Sequence, residues 1–356
     1  MEAKIITTEQ GFLSLKDSWT ALLERMHDAT PFQTWEWNYY FWKYHPEELM
    51  IIIAVQNKYV YGIAPLVKRN GIIEFIGDKH FDYGEMICAE KKSDVFDVIF
   101  DEIDAQCKKD GFTYWLKNIP VWSSQYVLFR ERARSCKRVL CRELVSTAGI
   151  YLSEYGTFDR YLMSISASLR KKSIKPCQNA GVQYSIEPFS EPLWSSIEQI
   201  YEARMEDRIG VSKLDWAKEI VRELSNLGLL RIGMLRYREE YIAFTIYYCF
   251  GKKICIWLTA FKTMEGYGFG NYLRYCLIRS AFENGVETVD LMRGAYDYKK
   301  QWDANISYNV EIRSFRIPVY KTLYSIKMYL RSFLRDIVYG NSLFKSIYQR
   351  LSKVKK

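Results

Sequence analysis

The chain has 356 residues, with 51 Lys+Arg against 42 Asp+Glu, three His and eight Cys. At roughly 150 residues per domain, that length predicts two domains, and a composition of 49% hydrophobic and 26% charged residues excludes a disordered chain. The Cys are scattered with no C-x-x-C pair and the His stand far apart at 27, 45 and 80; no metal is expected.

Met1 to Phe12 carries Glu2, Lys4 and Glu9 and no apolar core, so no signal peptide is expected there. The uncharged apolar runs, such as Tyr241–Phe250, fall short of the ~18 residues that a membrane span needs. These features predict a soluble cytoplasmic protein with reduced thiols.

Helical periodicity begins at Leu13–Met26, and Thr34 can cap a second helix, Trp35–His45, crowded with aromatics. Leu49–Gln56 and Tyr59–Lys68 read as a hairpin across Asn57-Lys58, and Asn70-Gly71 as a second turn leading to Ile72–Gly77. Helix is predicted at Ser93–Lys109 and Ser123–Arg134, strand at Phe112–Asn118 and Arg138–Thr147. The second half repeats this grammar. Phe158–Ala180 reads as one basic helix that Pro176 ends or kinks, followed by a strand at Val182–Pro188 and helices at Glu191–Glu206 and Trp216–Leu227. Leu229–Tyr237 and Tyr241–Phe250 form a hairpin around Arg238-Glu239-Glu240, with strands at Lys253–Ala260, Glu287–Met292 and Ser307–Arg316. Two halves of similar pattern suggest a duplicated domain.

From Lys321 to Lys356 nine basic residues face one acid, a net +8, which leaves the preceding residues near neutral. The body is therefore no general nucleic-acid binder. Val319, Leu323, Ile326, Leu330, Phe333 and Ile337 form one helical stripe, and Leu343, Phe344, Ile347 and Leu351 suggest a second short helix beyond Gly340-Asn341. Two readings follow: a helix pair docked on the body with a solvated basic face, or a helix lying on an anionic membrane through 321–356.

The segment Gly266-Tyr267-Gly268-Phe269-Gly270-Asn271 follows a strand and opens a helix. Alternate glycines turn the backbone tightly, and a helix start presents N–H groups and partial positive charge, so a phosphate is a natural guest. A Rossmann reading would require a parallel sheet, whereas antiparallel hairpins precede the loop.

The run Gly268-Phe269-Gly270-Asn271-Tyr272-Leu273, then Ala281-Phe282-Glu283-Asn284-Gly285, Asp290-Leu291-Met292-Arg293-Gly294 and Tyr298-Lys299-Lys300-Gln301-Trp302, resembles the C-terminal signature of the CelD-like acyltransferases of polysaccharide biosynthesis. These share the GNAT fold and are related to the FemABX aminoacyl transferases. Upstream, Phe32 to Trp37, Gly62-Ile63-Ala64-Pro65-Leu66, Phe75-Ile76-Gly77 with Asp82-Tyr83, and Ser168-Leu169-Arg170-Lys171-Lys172 resemble the family's earlier motifs in order. The resemblance covers residues 31–305. It implies an α/β protein of two tandem GNAT-like domains with mixed sheets, at 1–150 and 151–318, and a basic helical tail at 319–356. It implies an acyl-CoA, most simply acetyl-CoA, with its pyrophosphate on Gly266, Gly268, Gly270 and Asn271 and its pantetheine arm between diverging strands Lys253–Ala260 and Glu287–Met292.

Acyl transfer to an amine needs alignment, a base for the amine proton and an acid for the leaving thiolate. Asp290 and Asp297 are base candidates, and Tyr296 and Tyr298 acid candidates. Each has a plain structural alternative: Asp297 and Tyr298 can cap or pack a helix, and Asp290 can hold the turn at Arg293-Gly294. Lys299 can meet a substrate phosphate with Trp302 walling the cleft, or snorkel beside a buried Trp. Trp37, Asp82, Tyr83 and Arg293 complete the expected substrate site. The expected activity is N-acylation of an amino sugar, sugar nucleotide or lipid-linked glycan in envelope biosynthesis. The alternatives are a FemABX-like aminoacyl-tRNA-dependent transferase and a non-catalytic envelope-assembly protein.

Overall fold

The computed structural model describes residues 1–90, 92–205, 214–294 and 297–340; the side chains of Asp297 and of 332–340 lie outside that description. Strand β1 (Glu2–Ile6) runs into helix α1 (Glu9–Ser14), whose first turn is capped by the Thr8 hydroxyl accepting the Gly11 N–H at 3.2 Å. After α2 (Lys16–Leu23), α3 (Trp35–Tyr44) is capped in the same way by Thr34, which accepts the Trp37 N–H. The strands β2 (Glu48–Leu49), β3 (Ile51–Gln56), β4 (Tyr59–Ala64), β5 (Leu66–Arg69), β6 (Ile72–Phe75) and β7 (Ile87–Cys88) then lead to α4 (Lys92–Asp110), β8 (Thr113–Pro120), α5 (Tyr126–Ser135) and β9 (Val139–Tyr151).

Turn chemistry fixes the pairing. Asn57 (φ 52°) and Lys58 (φ 69°) both take left-handed backbone, as do Asn70 (φ 51°) and Gly71 (φ 76°). Such turns match the twist of the strands they join, so Gln56 stands opposite Tyr59 and Arg69 opposite Ile72.

The expected single helix over Phe158–Ala180 is broken into α6 (Phe158–Ser164), α7 (Ala167–Leu169), a π-helical turn over Arg170–Ile174, and α8 (Lys175–Asn179). Ile165 and Ser166 leave helical geometry, and Pro176, with no N–H for the i−4 carbonyl, loosens the ladder before it. The chain continues through β10 (Gln183–Glu187), α9 (Glu191–Met205), α10 (Asp215–Asn226), β11 (Leu230–Tyr237), β12 (Glu240–Phe250), β13 (Lys253–Phe261), α11 (Phe269–Glu283), β14 (Thr288–Arg293), α12 (Asp297–Lys300), β15 (Asn305–Ser314) and α13 (Pro318–Gly340).

The strands form a four-stranded sheet, β1-β3-β4-β7, and an eleven-stranded sheet, β10-β11-β12-β13-β14-β9-β15-β8-β6-β5-β2. Two pairs in the long sheet are parallel: β6 with β8, joined through α4, and β13 with β14, joined through α11. Each half is thus antiparallel hairpins followed by one crossover. β9 and β15 pair antiparallel at the centre, and β15 reaches on to β8 in the first half. The two halves also share apolar packing. Trp194, Ile220, Val221 and Leu224 from α9 and α10 join the core built by Trp19, Trp37 and Phe100, and the Tyr44 hydroxyl on α3 donates to Glu223 on α10 at 2.7 Å.

Lys58 occupies the second left-handed turn position, where its Cβ is unfavourable. K58G is expected to stabilise the protein by about 0.5–1 kcal/mol, read as a rise in the urea midpoint at unchanged m-value.

Candidate active site

β13 and β14 pair over three positions only, Lys253 with Thr288, Ile254 with Val289 and Cys255 with Asp290, and then diverge. β6 and β8 pair over two, Ile72 with Thr113 and Ile73 with Tyr114. A cavity of about 720 Å³ lies where the open ends of these pairs face each other. Asp78, Lys79 and Asp82 beyond β6 and Trp115 and Lys117 on β8 line one side; Trp257 and Thr259 on β13, Arg274 on α11, and Arg293, Gly294 and Tyr298 line the other. β13 also carries a bulge: Ile246 opposes Leu258 while Tyr247 opposes Ile256, so Trp257 has no partner residue in β12. A bulge frees and re-aims backbone polar groups, here at the mouth of the splay.

Behind the cavity wall stands a buried polar cluster. The Tyr83 hydroxyl donates to Asp290 Oδ2 at 2.7 Å, and Asp290 Oδ1 accepts the Met292 N–H at 2.7 Å. That second bond holds Met292 at φ 61°, inside the bulge that separates the Asp290–Gly149 and Arg293–Thr147 pairings. Lys299 is buried, and its Nζ donates to the carbonyls of Met292 at 2.6 Å and Arg293 at 2.9 Å. Burial pushes the Asp290 carboxyl up to about 6, against the pull of the Tyr83 and Met292 hydrogen bonds. Burial likewise pulls the Lys299 ammonium down to about 8. The bulged segment carries Arg293 to the cavity, where its Nε binds the carboxylate of Asp82. The Asp82 carbonyl accepts from Asn309 on β15 at 2.7 Å.

The structure therefore brings Asp82, Arg293 and Tyr298 to the cavity and sets Tyr83, Asp290 and Lys299 just behind it. Trp37 and Trp302 are fully buried. Trp37 packs edge-on against Trp257 at 5.2 Å, joining the halves, and so serves as core. Tyr296 and the Asp297 side chain lie outside the described residues, as does the second helix expected in the tail.

In the glycine segment, α11 starts at Phe269 with Gly268 as its cap. Gly266 (φ 80°) has open space where a Cβ would stand, but a Cβ on Gly268 would lie 2.5 Å from Ser173 of the π turn, and one on Gly270 would strike the Phe261 ring. The Asn271 amide donates to the Ser173 hydroxyl at 3.1 Å. The Cys177 thiol, raised to about 11 by burial, is met by the Gly268 N–H. Gly268 and Gly270 thus allow close packing, and the side of the loop at Gly266 is open.

Asp78, Lys117 and Arg274 are among the cavity residues not singled out from the sequence. Asp78 is buried, binds Lys117, and leaves Oδ1 without a partner. Burial raises its carboxyl to about 7, with Lys117 pulling it back down. Lys117 lies 3.8 Å from the Trp115 ring centroid. Arg274 reaches the cavity from the second turn of α11. The only sequence signal for Asp78 is its place directly after the Phe75-Ile76-Gly77 strand end. Among the described residues no cluster of His, Cys, Asp and Glu could hold a metal ion, and no helix is long and apolar enough to cross a membrane.

Hairpins, crossovers and splayed parallel pairs of this kind define a protein of two tandem GNAT-like domains. Residues 187–300 match the family described as an acetyltransferase (GNAT) domain. No curated protein matches the chain. Among solved structures, the chain is similar to FemX at 12% identity, covering 90% of this chain and 99% of that one with a TM-score of 0.66. It is similar to the C-terminal domain of a putative lysylphosphatidylglycerol synthetase from Agrobacterium fabrum at 11% identity, covering 89% and 96%, TM-score 0.59. It is also similar to a tandem GNAT protein from the clavulanic acid biosynthesis pathway at 10% identity, covering 87% and 98%, TM-score 0.52. At these identities the likeness is one of fold.

The raised carboxyl of Asp290 makes a stability prediction. Its folded pKa near 6 exceeds the usual 3.8, so between these values the folded state holds the extra proton. Stability should therefore fall as pH rises from about 4 to 6, by roughly 3 kcal/mol from this group. D290N should lack that fall, which urea unfolding of both proteins across this range would read as a difference in slope.

Proposed function

We propose that the protein is an acyl-CoA-dependent N-acyltransferase, most simply an acetyltransferase of the CelD-like kind. Its acceptor would be an amino sugar, a sugar nucleotide or a lipid-linked glycan in envelope polysaccharide biosynthesis. The observation that carries this reading is the divergence of β13 from β14 beside the Trp257 bulge, opening onto a cavity with a partly unpartnered Asp78. The acyl arm would enter the splay, with the donor's phosphates on the open Gly266 side of the loop, at the positive end of the α11 dipole. The acceptor amine attacks the thioester carbonyl carbon: a C–N bond forms, the C–S bond breaks, and CoA leaves as the thiolate. Asp78 takes the amine proton, a role suited to a carboxyl titrating near neutrality. Backbone at the bulge faces the carbonyl oxygen, and Tyr298 stands where it can donate to the leaving sulfur. Tyr83, Asp290 and Lys299 position the wall and do not touch substrate.

A second donor reading rests on a specific contact. Ser173 closes the Gly268 side of the loop, narrowing the room for a pyrophosphate, and the whole-chain likeness to FemX supports an aminoacyl donor in its place.

Thiol release from acetyl-CoA over a panel of amino sugars, with acetyl-CoA calorimetry beside it, separates these readings. Under the first, kcat/KM rises with pH through about 7 as Asp78 ionises. D78N should lower kcat by about 10²–10⁴-fold and abolish that limb. No CoA binding and no thiol release would remove the acyl-CoA donor and leave the aminoacyl one.

The tail carries a proposal about place: a cytoplasmic protein that docks on the inner face of an anionic membrane. Val319, Leu323, Ile326 and Leu330 are 51–59% exposed on α13. Its opposite side is held by Tyr324, whose ring meets Phe315 at 5.4 Å with a 49° tilt and lies under Arg142 and Arg313. Each basic residue that reaches an anionic surface adds about 1 kcal/mol before screening. The full chain should co-sediment with vesicles containing phosphatidylglycerol and not with neutral ones. L323E/I326E/L330E should stay in the supernatant at unchanged Tm, and equal pelleting would remove the tail from this role.

A further inference from the structure

Arg274 stands on α11 five residues beyond Phe269, about 7.5 Å along the axis from the helix start, and lines the cavity. Its guanidinium carbon lies 4.6 Å from the centroid of the Tyr298 ring and 5.6 Å from that of Trp302. Nε is buried without a hydrogen-bond partner. Two other cations of the cavity wall are matched to acids, Lys117 to Asp78 and Arg293 to Asp82, and a third, Lys79, is exposed. Arg274 forms no ion pair with a carboxylate among the described residues; the charged neighbour it feels is a second cation, Lys299. Burial lowers its pKa, offset only by the phenols of Tyr298 and Tyr161. Aromatic faces hold a guanidinium in place but supply no acceptor for its planar fork, which is built for carboxylate or phosphate oxygens. A half-buried cation with a buried Nε, kept without an acid among the described residues at the inner wall of an open cavity, is costly for folding alone and suits recognition of an anion that arrives with the ligand.

We propose that Arg274 binds an anionic oxygen group of the acceptor, a carboxylate or a phosphate, so that the amine to be acylated belongs to an acidic molecule. This names the acceptor class for the transferase reading above and rests on that reading only for the chemistry of the amine. The group is distinct from the phosphates of a CoA donor, which would sit at the start of α11, more than a helical turn away.

The test is calorimetry on the full chain without any donor. The probes are glucosamine, glucosamine 6-phosphate, 2-amino-2-deoxyglucuronic acid and inorganic phosphate, on the wild type, R274K and R274M. The wild type should bind at least one acidic sugar ten-fold or more tightly than glucosamine, and which of the two it is tells phosphate from carboxylate. R274M should erase the preference. R274K should retain part of it for the phosphate and little for the carboxylate, which uses the bidentate fork. Because R274M removes an unpaired buried charge, its Tm should hold or rise; a packing role would lower Tm and leave the preference intact. The proposal is overturned if no acidic probe, phosphate included, outbinds glucosamine, or if the preference survives in R274M. An acidic preference that depends on Arg274, without thiol release from acetyl-CoA, would retain the anion site and remove the acyl-CoA reading; thiol release without the preference would do the reverse.

Discussion

The hydrogen bond from Tyr83 to Asp290 joins a loop of the first half to a strand of the second at the point where β13 and β14 part. Everything at the cavity follows from holding it. With one oxygen on Tyr83, Asp290 turns the other to the Met292 N–H, fixing a left-handed residue that a Met adopts only under constraint. That kink is buttressed by Lys299 on the two carbonyls that follow, and it delivers Arg293 to Asp82 beside Tyr83. Each member is buried or half-buried and bonded to another, so removing one leaves a neighbour desolvated and unpaired, the situation in which buried polar networks lose most.

The long sheet explains why a cavity forms there. β9 and β15 pair over ten positions at its centre, and on either side a parallel pair closes for two or three residues and then opens. Two antiparallel central strands with one crossover unit on each flank bring the two open ends to face each other. The gap is framed by backbone that the sheet leaves unpaired and is braced across the halves by Trp257, whose Nε1 donates to the His80 carbonyl at 2.9 Å and whose ring meets Trp37.

How far the sequence announced this depends on how local each signal was. The hairpins at Asn57-Lys58 and Asn70-Gly71 were legible because each turn is decided within two residues; the one read over Arg238-Glu239-Glu240 turns over Arg238-Glu239, with Glu240 already paired to Tyr237. The glycine segment was legible as a helix start, but not the fact that Gly268 and Gly270 serve close packing against Ser173 and Phe261, residues far away or on another strand. The break in the Phe158–Ala180 pattern was hidden because periodicity survives a π turn. Asp82, Tyr83, Asp290, Arg293 and Lys299 were each singled out from the sequence in separate roles; that they lie together and bond to one another was not legible there. Asp78, Lys117 and Arg274 were missed because nothing in the local pattern separates a cavity carboxylate, ammonium or guanidinium from a solvated one; only the meeting of distant chain segments does.

The charges at this site do not balance in the way that packing for stability alone would arrange. Asp78 keeps an unsatisfied oxygen beside its lysine, Asp290 is raised by burial, Lys299 is lowered by it, and Arg274 meets aromatic faces and no acid among the described residues. By contrast Glu311, buried at the sheet centre, receives Arg142 and the Trp115 indole. The same chain that satisfies Glu311 at the sheet centre leaves Asp78 and Arg274 underpaired around one cavity. At Asp78 and Arg274 the unmet hydrogen-bonding capacity borders solvent-sized space, as expected where part of the partner set is supplied by a ligand. The fold tolerates the local cost because β9 and β15, and the cores on either side, do not depend on those two residues.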